Sequence, residues 1–218
     1  MTDADRRIYL DYAASTPVDP QVVAAMSRWM GEGGNFANPS STHAEGRRAV
    51  ARIRKSAAQL AELLNTAPDR LIWTSGATES DNLAIIGAAR YREERGRHLV
   101  SMRTEHKAVT DVFEVLATQG FEVTWLEPGE GGVLDLTELE AAFRPDTQLV
   151  SIMHVNNETG VIQDIAAIGA ACRQRDVLLQ KIHYLAQGLL RDRPGPEGEL
   201  VLCSPENTGT ACGEYCAM

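Results

Sequence analysis

The chain has 218 residues, 44% hydrophobic and 23% charged, which is ordinary for a globular chain of one or two domains. Its 21 basic and 30 acidic residues give a net charge of −9, which argues against nucleic-acid or membrane-surface binding because no basic stripe balances the acid excess. No apolar run approaches the roughly 20 residues that span a bilayer, and residues 1–7 precede no apolar signal core, so a cytoplasmic chain with free thiols is expected.

Apolar spacing predicts a helix from Pro20 to about Met30. A loop rich in Gly and Asn follows, over residues 31–43. A long helix is expected over Ala44–Leu64, with apolar residues at Val50, Ile53, Ala57, Leu60 and Leu64. The chain then alternates. A strand at Arg70–Thr74 leads to a helix at Thr78–Arg95. A strand at His98–Arg103 leads to a helix at Lys107–Gln119. A strand at Phe121–Leu126 is followed by a short helix at Leu136–Phe143, with Asp135 as its N-cap. A strand at Gln148–Val155, a helix at Ile165–Arg175 and a strand beginning at Val177–Leu179 complete the pattern. Such alternation means βαβ units and a mostly parallel α/β sheet with flanking helices.

Near residue 180 the character changes. Residues 191–199 are rich in Pro, Gly and charge, and residues 200–218 have too little apolar surface to form a domain. The expected division is an α/β segment over residues 1–180 and an irregular tail over 181–218. Cys203, Cys212 and Cys216 lie in that tail without the paired spacing of a zinc site, so no metal is expected.

Four segments carry candidate chemistry. Thr74-Ser75-Gly76-Ala77-Thr78-Glu79-Ser80-Asp81-Asn82 runs from a strand through a glycine turn into a helix. Unpaired N–H groups and the helix dipole make such a start a phosphate cup, although a simply capped helix obeys the same rules. Thr104-Glu105-His106-Lys107-Ala108-Val109 follows a strand, where His106 can stack on a flat ring or move a proton. His154-Val155-Asn156-Asn157-Glu158-Thr159-Gly160 follows another strand, and its amides can bond a polar ring substituent or serve only the turn. Asn38-Pro39-Ser40-Ser41-Thr42-His43 can close over a ligand or simply open a helix.

With Tyr9-Leu10-Asp11-Tyr12-Ala13-Ala14-Ser15-Thr16-Pro17, these segments stand in the order and spacing of the cysteine desulfurases. The chain resembles this family of class V pyridoxal-phosphate enzymes over about residues 8–180. The resemblance implies the large domain of the type I fold of pyridoxal-phosphate enzymes, here only in part. By matching position it implies that Ala77 and Thr78 bind the cofactor phosphate, His106 stacks on the pyridine ring and Asn157 bonds the ring's 3-oxygen. Asn38 would lie in a loop over the substrate.

The chain departs from the family after Leu179. The family continues with His-Val-Asp-Ala-Ala-Gln, whose Asp pairs with the ring nitrogen, and later presents the Schiff-base lysine. Here the sequence is Gln180-Lys181-Ile182-His183-Tyr184-Leu185-Ala186-Gln187. In one alignment a deletion makes Lys181 the Schiff-base lysine. In the other, Leu185 stands for the Asp and no such lysine follows. Lys55, Lys107 and Lys181 are the only lysines. In the tail, Asn207-Thr208-Gly209-Thr210-Ala211-Cys212 resembles the family's nucleophilic loop, which would make Cys212 the sulfur-accepting thiol. The resemblance implies removal of sulfur from L-cysteine, giving alanine and a persulfide for iron–sulfur clusters or tRNA. A sulfur-acceptor protein and a homodimer are implied with it. An inactive family member that at most binds pyridoxal phosphate or pairs with a full-length subunit is the alternative. Loss of covering strands would leave apolar surface exposed.

Overall fold

The computed structural model describes residues 8–12, 14–31, 34 and 36–181. Two helices come first, α1 (Pro20–Met30) and α2 (Ala44–Leu63). Then follow α3 (Ala77–Tyr91), β1 (His98–Met102), α4 (Lys107–Thr118), β2 (Glu122–Leu126), α5 (Leu136–Ala142), β3 (Thr147–Ser151), α6 (Ile165–Gln174) and β4 (Leu178–Gln180). The four strands form one sheet in the order β2-β1-β3-β4, and every pair is parallel. The expected α/β architecture is present.

Alternation along each strand divides the core in two. Leu99, Leu149 and Leu178 face α3 and α4, where Ile85, Ala89, Val112, Phe113 and Leu116 are buried. Val100, Val150 and Leu179 face α5 and α6, where Leu139, Ile165, Ile168 and Cys172 are buried. All five residues of β1 and of β3 are buried, as expected of central parallel strands covered on both faces. At the strand starts, the ring nitrogens of His98 meet Thr147 Oγ1 at 2.7 Å and Thr124 Oγ1 at 2.8 Å. Burial first, then the Arg144 charge, holds the His98 pKa below its ordinary value.

Helix starts follow local chemistry. Asp19, Asp135 and Asp164 each accept a first-turn N–H, so the Asp135 cap is where the sequence put it. Asp164→Ala is expected to cost about 1 kcal/mol, since its side chain accepts the Ala167 N–H at 3.0 Å. Urea unfolding of the variant checks this, and an unchanged midpoint refutes it.

One expected strand is absent and two expected ends move by several residues. Residues 70–74 do not form a strand. A 3-10 turn covers Pro68–Arg70, and Ile72 and Trp73 are exposed because no described strand lies beside them to complete a ladder. Helix α3 stops at Tyr91, not Arg95. The chain must turn to enter β1, and Gly96 passes so close to Asp146 that a Cβ there would meet its carbonyl oxygen at 2.1 Å. Strand β3 stops at Ser151, not Val155. Val155 instead bridges antiparallel to Ile162 within the following loop.

Helix α1 buries none of its residues, and Val22, Val23, Met26 and Met30 are exposed. Ile72 and Trp73 are exposed as well. Among the described residues no helix is long and apolar enough to cross a membrane.

Candidate cofactor site

Two side-chain contacts orient α3. Near its start, Asp81 Oδ1 accepts the Gln180 amide at 3.2 Å, at the end of β4. Near its finish, the Ala89 carbonyl accepts the Gln148 amide at 3.2 Å, at the start of β3. Helix α3 therefore runs against the strands and points its N-terminus at their carboxyl ends, where ligands of open α/β sheets collect.

That N-terminus differs from the others. Helices α1, α2, α4, α5 and α6 each have a side-chain cap, from Asp19, His43, His106, Asp135 and Asp164. Gly76, the N-cap of α3, provides none, and the space a Cβ would enter there is open. Ala77 and Thr78 are exposed in the first turn. Glu79 does not cover them. Its Oε2 accepts both the N–H and the hydroxyl of Ser75 at 2.6 Å, and these bonds hold its carboxyl below the usual range. Thr74 Oγ1 and Ser80 Oγ share a hydrogen bond at 2.6 Å, and both lie 3.2 Å from the Gly76 carbonyl oxygen, which accepts from the hydroxyl whose proton is not used between them, so that the turn is fixed. An open, uncapped helix start with a free approach over glycine fits a phosphate group.

His106 caps α4 directly after β1. Its Nδ1 accepts the Ala108 N–H at 3.0 Å, which leaves the ring proton on Nε2. The ring is half-buried. Past β3, the two adjacent asparagines divide the work. Asn156 accepts the N–H groups of Glu158 (2.9 Å) and Thr159 (2.8 Å), and its Nδ2 donates to the Thr104 carbonyl at 2.8 Å. Its amide holds the loop, and half-buried Asn157 stands next to it. Gly160 closes the loop at φ 74°, a left-handed conformation natural to glycine, with its N–H on the Asn156 carbonyl at 2.9 Å.

Beneath these groups runs a polar line that sequence reasoning missed. Ser101 Oγ donates to the Ser151 carbonyl at 2.9 Å, Ser151 Oγ bonds Gln180 Oε1, and the Gln180 amide reaches Asp81. Glu105 is buried beside it, with one carboxylate oxygen on the Met153 N–H. Burial first, and the charge of Asp81 further, push the Glu105 pKa up to about 8, against the lowering effect of the Met153 N–H. The signal was available for Asp81. It lies four residues before buried Ile85, on the face of α3 that packs on the sheet.

Lys181 is the first residue past β4 and half-buried, so it leaves the sheet at this same edge. Lys107 is instead exposed on α4, paired with Asp111 at 2.7 Å. Asn38 is exposed, and its Oδ1 accepts the Ser40 N–H at 2.9 Å in a local turn before α2. Cys203, Cys212, Cys216 and the segment from Ile182 through Leu185 to Gln187 lie outside the described residues.

Residues 8–180 match the family model for aminotransferase class V. The chain belongs to that family. It is 54% identical to the cysteine desulfurase IscS of Vibrio atlanticus and 53% identical to that of Escherichia coli, over 78% of its own length and 43% of theirs. The chain thus spans less than half the length of these class V relatives. Solved structures agree. A structure of SspA in complex with cysteine superposes with a TM-score of 0.74 at 40% identity, over 79% of this chain and 49% of that one. DndA from Streptomyces lividans gives 0.69 at 44% identity, over 83% and 50%. The class V match ends at the last residue of β4, the point at which the sequence departs from the resemblance.

Proposed function

We propose that this chain forms the cofactor-binding front of a cysteine desulfurase that uses pyridoxal 5′-phosphate to take sulfur from L-cysteine. The observation that supports this reading is the convergence of an uncapped helix start, His106 and Asn157 at one edge of a parallel sheet. Ala77 and Thr78 offer first-turn N–H groups, and Thr78 a hydroxyl, to the phosphate. His106 presents a flat ring whose orientation is fixed by the Ala108 N–H. Asn157 offers an amide donor to the ring oxygen. Bound pyridoxal phosphate supplies an electron sink for charge developing at the carbon next to a substrate amine. Lys181, the first residue past β4, is the candidate for covalent attachment and proton transfer. The thiolate of a cysteine such as Cys212 would attack the substrate sulfur directly, so that a persulfide S–S bond forms as the substrate C–S bond breaks, its electron pair stays on carbon and a proton completes alanine. The persulfide sulfur would then pass to an acceptor protein, in a cytoplasmic homodimer.

Incubation with pyridoxal phosphate, borohydride reduction and peptide mapping test this reading. Near-stoichiometric label on Lys181 is expected, with less than a tenth as much on Lys55 and Lys107. Label spread evenly over the three lysines, or none, would overturn the catalytic reading. Retained binding without label would favour a family member that holds the cofactor but does not turn over.

A further inference from the structure

Two loops form the walls of the candidate site. One carries His106 after β1, the other carries Asn157 after β3. Neither belongs to the sheet ladder, because β1 ends at Met102 and β3 at Ser151. Their separation is set by two side-chain ties. Asn156 Nδ2 donates to the Thr104 carbonyl at 2.8 Å, at the rim. Glu105 Oε1 accepts the Met153 N–H, in the interior. The Glu105 side chain is immediately next to His106 in the chain and is buried, and its Oε2 has no hydrogen-bond partner among the described residues. Burying a carboxyl is costly when one oxygen goes unpaired. An apolar residue would fill the same space without that cost, so the carboxyl's bond to Met153 is the gain that offsets it.

We propose that Glu105 is a positioning residue for this site. Its carboxyl locks the His106 loop onto the Met153 backbone and so sets the separation of His106 and Asn157 before a ligand arrives. This rests on the cofactor reading for its purpose, but the lock itself is a property of the apo chain. Asp81 and Gln180 border the lock from α3 and β4, and they bond each other at 3.2 Å. The lock needs only an acceptor at Oε1, so Glu105→Gln preserves it. Glu105→Leu keeps the volume and removes the acceptor.

The experiment combines amide hydrogen exchange on the apo protein with pyridoxal-phosphate titration followed by fluorescence. In the wild type, the Met153 amide is expected to exchange at least 100-fold more slowly than an exposed loop amide such as Trp73, although it lies beyond the strand. In Glu105→Leu the Met153 amide is expected to accelerate at least tenfold, while Val150 in β3 keeps its protection. Affinity for pyridoxal phosphate is expected to fall at least tenfold in Glu105→Leu and less than threefold in Glu105→Gln. A fast Met153 amide in the wild type overturns the lock, and that measurement stands even if Glu105→Leu does not fold. Equal loss of protection at Met153 and Val150 would mean general destabilisation, and overturns positioning. Equal cofactor affinity in Glu105→Leu and wild type does the same. Absence of pyridoxal-phosphate binding in the wild type, with Met153 protected, would instead retire the cofactor reading and leave the lock standing.

Discussion

Between pH 5 and pH 8.5 the wild-type protein is expected to lose about 3 kcal/mol of stability that a Glu105→Gln variant keeps. The Glu105 carboxyl has a pKa near 4.5 when the chain is unfolded and about 8 when folded. Below pH 4.5 both states hold the proton and the group contributes nothing to pH dependence. From pH 4.5 to 8 the folded state holds more protons than the unfolded state, so stability falls as pH rises. Above 8 both states are ionised and the loss is complete. At about 1.4 kcal/mol per pH unit the full displacement exceeds 4 kcal/mol, and access of water to a side chain 9% exposed reduces it to about 3 kcal/mol. Glutamine keeps the acceptor for the Met153 N–H and has no charge to form. Urea unfolding at pH 5.5, 7 and 8.5 for both proteins reads the effect as a widening gap in midpoint, because other titrating groups are common to the two. Parallel profiles would show that Glu105 is not the buried acid described.

The difference between what sequence and structure each disclose is physical. The parallel sheet was legible because each strand and its helix are contiguous, and apolar runs such as Leu99-Val100 and Leu149-Val150 announce strands buried on both faces. Residues 70–74 have a strand's composition, but Ile72 and Trp73 form none, because a strand needs a neighbour and none of the described strands lies beside them. The end of β3 was misplaced for the same reason. Val155 keeps a strand's composition, but its bridge is to Ile162 in the next loop.

The place of His106 was legible because it opens α4 soon after β1, and that of Ala77 and Thr78 because a glycine turn precedes the start of α3, each a local pattern. Glu105 was not, although it sits inside a segment already singled out. Its burial is decided by Met153, 48 residues away, and no local pattern encodes that contact. Asn156 and Asn157 are the same residue type in adjacent positions. Only the fold shows that the first is occupied with Thr104, Glu158 and Thr159. The uncapped start of α3 is informative for the opposite reason. Among the described residues the five other α-helices each take a side-chain cap on a first-turn N–H, and α3 takes none, which leaves its first-turn donors open.

Cys172 is expected to react with iodoacetamide at pH 8 at least 100-fold more slowly in the native protein than in urea. It lies on α6 with its side chain against the sheet, among Val150, Ile168 and Leu179. Burial pushes its thiol up to about 12, and the nearby Arg173 charge lowers it only partly. At pH 8 almost none of it is thiolate, and the thiolate is the form that attacks a carbon or a sulfur. It is 1% exposed, so access opposes reaction as well. A desulfurase needs a thiol with the reverse properties, reachable and easily ionised. Cys172 therefore packs the core, with neither the exposure nor the ionisation that a sulfur carrier requires. Peptide mapping after timed alkylation reads the Cys172 rate directly. Labelling of the native protein within a few-fold of the urea rate would mean that α6 opens from the sheet, and would restore Cys172 as a candidate acceptor. Slow native labelling, with full reaction in urea, would establish Cys172 as a packing residue.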